Sequence, residues 1–171
     1  MARTQMSRLG ARPDRHAWRS RLMVVMAMGV AIVMGFQAPA MAATSGCGSV
    51  CDRKDPDTYF ATVDGKTMRC NFIDVETPYS ATYVELRYSP FCRTAWARQT
   101  GSFGWLSGVL VQSYNSNGTL RMTVDDTGSS GSWSLMVNDK GMTARACFYQ
   151  YDTEWDYEAG NRRIMYCTAR Y

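Results

Sequence analysis

Six cysteines, Cys47, Cys51, Cys70, Cys92, Cys147 and Cys167, all lie downstream of an arginine-rich, apolar leader. An even set of thiols behind an export signal reads as a disulfide framework, because the bonds form once the chain has left the reducing cytoplasm. Such bonds let a small chain fold around a modest core. Each restricts the unfolded state and stabilises by about 2–4 kcal/mol. The expected pairing joins Cys147 to Cys167, and joins Cys47 and Cys51 to Cys70 and Cys92 in an order left open. A zinc or redox reading of Cys47-x3-Cys51 is disfavoured by the export route and by the lack of partner histidines.

The leader is read as a signal peptide over residues 1–42. Arg3, Arg8, Arg12, Arg15, Arg19 and Arg21 stand against a single acid, Asp14, and precede the apolar run Leu22–Phe36. The small-residue motif Ala40-Met41-Ala42 places cleavage after Ala42. An uncleaved anchor is the alternative, but the 15-residue run falls short of the roughly 20 apolar residues a spanning helix needs. Residues 43–171 are therefore expected to form one secreted, monomeric domain with no further membrane contact.

Removing the leader changes the chemistry that remains. Of nineteen bases and fifteen acids, six arginines and one aspartate leave with it, so thirteen and fourteen remain, a net charge of −1. The basic character of the whole chain belongs to the leader, and a nucleic-acid partner is not expected. His16, the only histidine, also leaves. Ser-His-Asp and Cys-His catalysis are thereby excluded from the mature chain, and no cofactor or metal is expected.

The mature chain alternates short β-type runs with turn signals. Residues 82–89 put Tyr83, Glu85, Arg87 and Ser89 on one face and Val84, Leu86 and Tyr88 on the other, the period of a half-buried strand. Asp64-Gly65 marks a turn, and Asn115-Ser116-Asn117-Gly118 a hairpin turn. Asn138-Asp139-Lys140-Gly141 is expected to close a hairpin between 133–137 and 142–149. Another turn is expected at 128–131. Residues 94–99 suit either a strand or one helical turn. Eight or nine such strands predict an all-β, disulfide-stapled antiparallel sandwich or barrel.

The string Glu85-Leu86-Arg87-Tyr88-Ser89-Pro90-Phe91-Cys92-Arg93-Thr94-Ala95-Trp96-Ala97-Arg98, with Cys47-x3-Cys51 and Asp55-Pro56 upstream, resembles the YjfA-like family. That is a domain-of-unknown-function family of secreted proteins from Gram-positive bacteria, mainly actinobacteria. The resemblance spans about residues 46–115 and implies export and disulfides, with no established activity and no catalytic residue. Physically, the string reads as a strand that turns at Ser89-Pro90, is stapled by Cys92 and is packed beneath by Trp96. Glu85, Arg87, Arg93 and Arg98 are expected to form a charge network there. Arg87, Arg93 and Arg98 are also candidate ligands for an anion such as a wall polymer.

Other candidates are weaker. Asp152, Glu154, Asp156 and Glu158 alternate and are read as one face of an extended segment, a solvated acidic edge answered by Arg162 and Arg163. A calcium site there lacks the required loop pattern. With Glu76, Glu85, Asp125 and Asp126 these acids offer carboxylates for a glycan hydrolase, but their spacing is not readable from sequence. Trp155, among charged neighbours, is expected to be exposed and is a candidate binding residue. The favoured function is a non-enzymatic extracellular binding module for a cell-wall polymer or another secreted protein. The alternatives are an inhibitor or toxin-like effector projecting residues 150–163, and a carboxylate hydrolase.

Overall fold

Two four-stranded antiparallel sheets face one another, in a computed structural model that describes residues 44–125 and 133–171. The leader and the turn expected at 128–131 lie outside these residues. The strands are β1 (Phe60–Val63), β2 (Lys66–Arg69), β3 (Glu76–Ala81), β4 (Val84–Ser89), β5 (Thr94–Gln99), β6 (Ser107–Tyr114), β7 (Leu120–Asp125), β8 (Val137–Asn138), β9 (Thr143–Gln150) and β10 (Arg163–Cys167). One sheet runs β10-β9-β6-β7 and the other β3-β4-β5-β8. The sheets do not close into a barrel. A helix, α1, spans Glu154–Ala159.

Alternation builds the core. Val84 and Leu86 of β4, Ala95 and Ala97 of β5, Val109 and Val111 of β6, and Ala144, Ala146 and Phe148 of β9 meet between the sheets with Val124 and Val137. Small alanines on β5 and β9 let the sheets approach, and Phe148 fills the space left at one end. The strand assignment for 94–99 is settled by pairing: β5 matches β4 from Thr94↔Ser89 to Gln99↔Val84.

β5 is buried on both faces. Its outward Trp96 is enclosed by Cys51, Cys70, Cys92, Met136, Ala61 and Val63. These belong to an N-terminal cap made of a 3-10 turn at Gly48–Cys51 and the β1–β2 hairpin. The hairpin closes through Asp64 and Gly65, both at positive φ, as the Asp-Gly signal predicts. The cap covers the outer face of the β3-β4-β5-β8 sheet, so the cysteines staple a third layer onto the sandwich.

The expected pairing of Cys47 and Cys51 with Cys70 and Cys92 is corrected. The bonds are Cys47–Cys51, Cys70–Cys92 and Cys147–Cys167. The 3-10 turn brings Cys47 and Cys51 to a Cα separation of 5.8 Å, within ordinary bonding range. Cys92 is nonetheless adjacent, since the Cys47 N–H donates to the Cys92 carbonyl at 3.0 Å. The sulfurs of Cys47, Cys51 and Cys70 cluster within 4.8 Å, but all are spent in disulfides.

The hairpin expected across residues 138–141 is also corrected. β8 pairs with β5, whereas β9 pairs with β6 and β10, so that turn carries the chain from one sheet to the other. The backbone before it is already engaged. The Met136 N–H donates to the Lys54 carbonyl at 2.8 Å, and the Ser134 N–H to the Ala97 carbonyl at 2.9 Å. With those groups satisfied by the cap and by β5, β8 has no free edge to offer β9. Among the described residues, no helix is long and apolar enough to cross a membrane.

Candidate binding face

Among the described residues, no stapled layer lies over the outer face of the β10-β9-β6-β7 sheet. Cross-strand register puts Gly108, Leu110, Gln112 and Tyr114 of β6 beside Tyr149, Cys147, Arg145 and Thr143 of β9 on that face. One end is covered by residues 151–162. Leu110, Cys147 and Tyr149 are buried there, with Tyr151 and Cys167 against them. The cover is clasped by Arg162, whose guanidinium lies 5.2 Å from the Tyr149 ring centroid and ion-pairs with Asp125 on β7. Burial works most strongly against the Arg162 charge, but the hydrogen bond to Asp125 together with the pull of Asp125, Tyr149 and Tyr151 outweighs it and raises its pKa.

The cover contains α1, which corrects the extended reading of 152–158. Thr153 caps the helix by accepting from the Asp156 N–H at 3.1 Å, and Gly160 at φ 72° ends it. A Thr-x-x-Asp start and a glycine stop were the signals for this helix; the period-two acids masked them. The four acids therefore do not share a face. Arg163 answers Asp152 at 2.6 Å, as expected, whereas Arg162 leaves for Asp125.

A ladder of rings climbs out of this covered end. Tyr149 meets Tyr151 at 5.6 Å, Tyr151 meets Tyr157 at 5.2 Å, and Tyr157 meets Trp105 at 5.3 Å, each edge to face. The ladder is anchored at a close approach. A Cβ on Gly108 would sit 2.6 Å from the Tyr149 hydroxyl, so only glycine admits the Tyr149 ring. Its outer members are open to solvent: Trp105 is 61% and Tyr157 50% exposed. Trp155 is exposed as expected, at 80%. Two residues from Tyr157 on a helix, it points to a different side and takes no part in the ladder. Sequence reading singled out Trp155 and missed Trp105, whose partner is more than fifty residues away in the chain.

The arginines of the quoted string separate. Glu85 receives Arg98 at 2.7 Å and Arg87 at 3.7 Å, on the outer face of β4 and β5. Arg87 also bonds the Thr77 hydroxyl. Burial first, and Arg98 second, lower the Arg87 pKa, against the pull of Glu85. The expected network thus forms around Glu85 without Arg93. Arg93 turns the chain between β4 and β5 at φ 52°, with its N–H on the Ser89 carbonyl at 2.7 Å. The three arginines offered as one anion site do not converge, and two of them share one carboxylate.

Residues 49–147 match a family model described as "Protein of unknown function (DUF2690)". The chain belongs to that family. Membership in a family of unknown function is what the quoted string implied. The match includes the cap from Ser49 onward, the Glu85–Arg98 string, β6, β7 and β9 as far as Cys147. Neither the curated proteins nor the solved structures contain a match.

One titratable group in the family region stands apart. Asp139, in the turn between the sheets, is 8% exposed, and its Oδ1 has no hydrogen-bond partner. Burial raises its pKa to about 7, against the opposing pull of Arg93 and Arg121. Tyr88 and Tyr171, whose rings meet at 5.1 Å, both feel its charge, and Tyr171 reaches Glu76 at 3.4 Å. Arg121 is engaged elsewhere, in a two-pronged pair with Asp52 at 2.8 Å on each prong.

Proposed function

We propose that the chain is an exported, monomeric, non-enzymatic module that binds a cell-wall polymer outside a Gram-positive cell, and that the YjfA-like name describes its narrower kinship. The observation that carries this reading is the exposed Trp105–Tyr157 pair, seated on half-buried Tyr151 and buried Tyr149 beside the Cys147–Cys167 bond. Aromatic rings already held rigid by packing bind with little further ordering cost. Three disulfides agree with life outside the reducing cytoplasm.

The test is retention on insoluble cell wall by the oxidised protein recovered from the medium of a host expressing the full chain. The wild type is expected to sediment with wall from which anionic polymers have been stripped. Trp105→Ala with Tyr157→Ala is expected to stay in solution while keeping its melting temperature. Absence of wild-type retention, or unchanged retention of the double variant, refutes the reading. A carboxylate hydrolase is the second reading, favoured by the raised pKa of Asp139. Release of reducing sugar from the wall, lost in Asp139→Asn, would place it first.

A further inference from the structure

At the open end of the same sheet face, two guanidiniums share one ring. Arg170 lies 3.5 Å from the Tyr114 ring centroid and Arg145 lies 5.7 Å from it. The two guanidinium carbons are therefore within about 9 Å of each other. Tyr114 itself is buried. Gln112 fixes the geometry, because its Oε1 accepts from the Tyr114 hydroxyl at 2.8 Å and from Arg145 Nε at 2.7 Å. That bond uses Nε and leaves the remaining Arg145 N–H groups to turn outward. The C-terminal segment lies alongside β9, with Tyr171 and Ala144 exchanging backbone hydrogen bonds, so Arg170 falls beside Arg145.

Five other arginines, Arg87, Arg98, Arg121, Arg162 and Arg163, each have a carboxylate within 4.0 Å. Among the described residues, Arg53, Arg69, Arg93, Arg145 and Arg170 have none, and of these Arg145 and Arg170 lie over one ring. Arg69 also stacks on a ring, that of Phe60, but does so alone. Two guanidiniums over one ring, with no acid within 4.0 Å among the described residues, form a ready site for an oxyanion. Four residues of β9, or about 14 Å, separate Arg145 from Tyr149 at the foot of the aromatic ladder. One face thus carries rings at one end and guanidiniums at the other.

We infer that Arg145 and Arg170 form a subsite for the anionic groups, phosphodiester or carboxylate, of an extended glycopolymer whose sugars lie toward Trp105 and Tyr157. This rests on the wall-polymer reading and specifies its ligand class. The probes are soluble poly(glycerol phosphate), polygalacturonate and neutral dextran, titrated against the full oxidised protein. Wild type is expected to bind at least one polyanion more tightly than dextran, with binding weakened at 0.5 M salt. The polyanion that binds identifies the anion. Arg145→Gln with Arg170→Gln is expected to lose roughly tenfold or more in affinity. Arg170→Gln alone, which leaves the Arg145–Gln112 bond in place, is expected to lose severalfold. Arg69→Gln is expected to bind within twofold of wild type. The inference is overturned if dextran binds as well as the polyanions. It is equally overturned if the double variant binds like wild type while melting normally, or if Arg69→Gln loses as much. Retention on stripped wall is read separately, so this subsite can fail while the aromatic reading stands.

Discussion

Replacing Asp139 by Asn tests the electrostatics of the turn between the sheets. The carboxyl is 8% exposed and its Oδ1 has no partner, so its charged form is poorly compensated. Its folded pKa is about 7, whereas an unfolded aspartate titrates near 3.8. The groups that face it are Arg93, from the β4–β5 turn, and Arg121, on β7; Tyr88 and Tyr171 lie near enough to feel it. Between pH ~4 and ~7 the native state holds a proton that the unfolded state has released. Stability therefore falls as pH rises through this window, and the contribution is fully present only below about pH 4. The shift corresponds to a loss on the order of 4 kcal/mol by pH 8. Asparagine keeps the shape, keeps the backbone N–H bond to the Arg93 carbonyl at 2.9 Å, and cannot ionise. Urea unfolding of oxidised protein, followed by tryptophan fluorescence from pH 4 to pH 8, measures the difference. The Asn variant is expected to exceed wild type by about 2–4 kcal/mol at pH 8 and to match it within about 1 kcal/mol at pH 4. A wild-type stability that stays level or rises from pH 5 to pH 8, or an Asn variant with the wild-type pH slope, refutes the reasoning.

Three further changes have outcomes fixed by local geometry. Cys147→Ala with Cys167→Ala opens a loop of 20 residues and is expected to cost roughly 3 kcal/mol in urea unfolding. Gly108→Ala drives a methyl group into the Tyr149 ring and is expected to cost about 1–3 kcal/mol, with the Trp105–Tyr157 contact disturbed in tryptophan fluorescence. Arg121→Met removes both prongs from Asp52 and leaves its carboxylate with the Asn138 N–H at 2.7 Å; a loss of about 2–4 kcal/mol is expected, largely recovered by adding Asp52→Asn.

The sequence carried the strands well where alternation was strict. Residues 84–89 had the right faces because Val84 and Leu86 must be inside together. The turns at Asp64-Gly65 and Asn115–Gly118 were marked by residues that tolerate positive φ. Strand partners were not marked. Asn138–Gly141 has the chemistry of a hairpin, yet whether its flanks pair depends on what else binds their backbone, here Lys54 and Ala97. The pairing of the four N-terminal cysteines was misassigned for a related reason. Cys147 and Cys167, bonded as expected, sit opposite each other on paired strands. The choice between Cys51 and Cys92 as partner for Cys47 turns on one 3-10 turn with no strong sequence mark.

Arg87, Arg93, Arg98 and Trp155 stood out because charge and aromaticity were read along the chain, whereas exposure is decided by which sheet face is covered. The string rich in arginine lies on β4 and β5, beneath or beside the stapled cap, where Trp96 needs burial and each charge needs a partner. Glu85 supplies it, and Arg87 and Arg98 are thereby consumed. Among the described residues, the opposite sheet has 151–162 over part of its outer face, clasped by Arg162 onto Asp125. Among the same residues, Arg145 and Arg170 have no acid within 4.0 Å, and Trp105 and Tyr157 are exposed at the rim of that cover. The most recognisable segment of the chain therefore builds the frame, and the groups proposed to meet a ligand come from the turn before β6, from β9, from α1 and from the C-terminal segment.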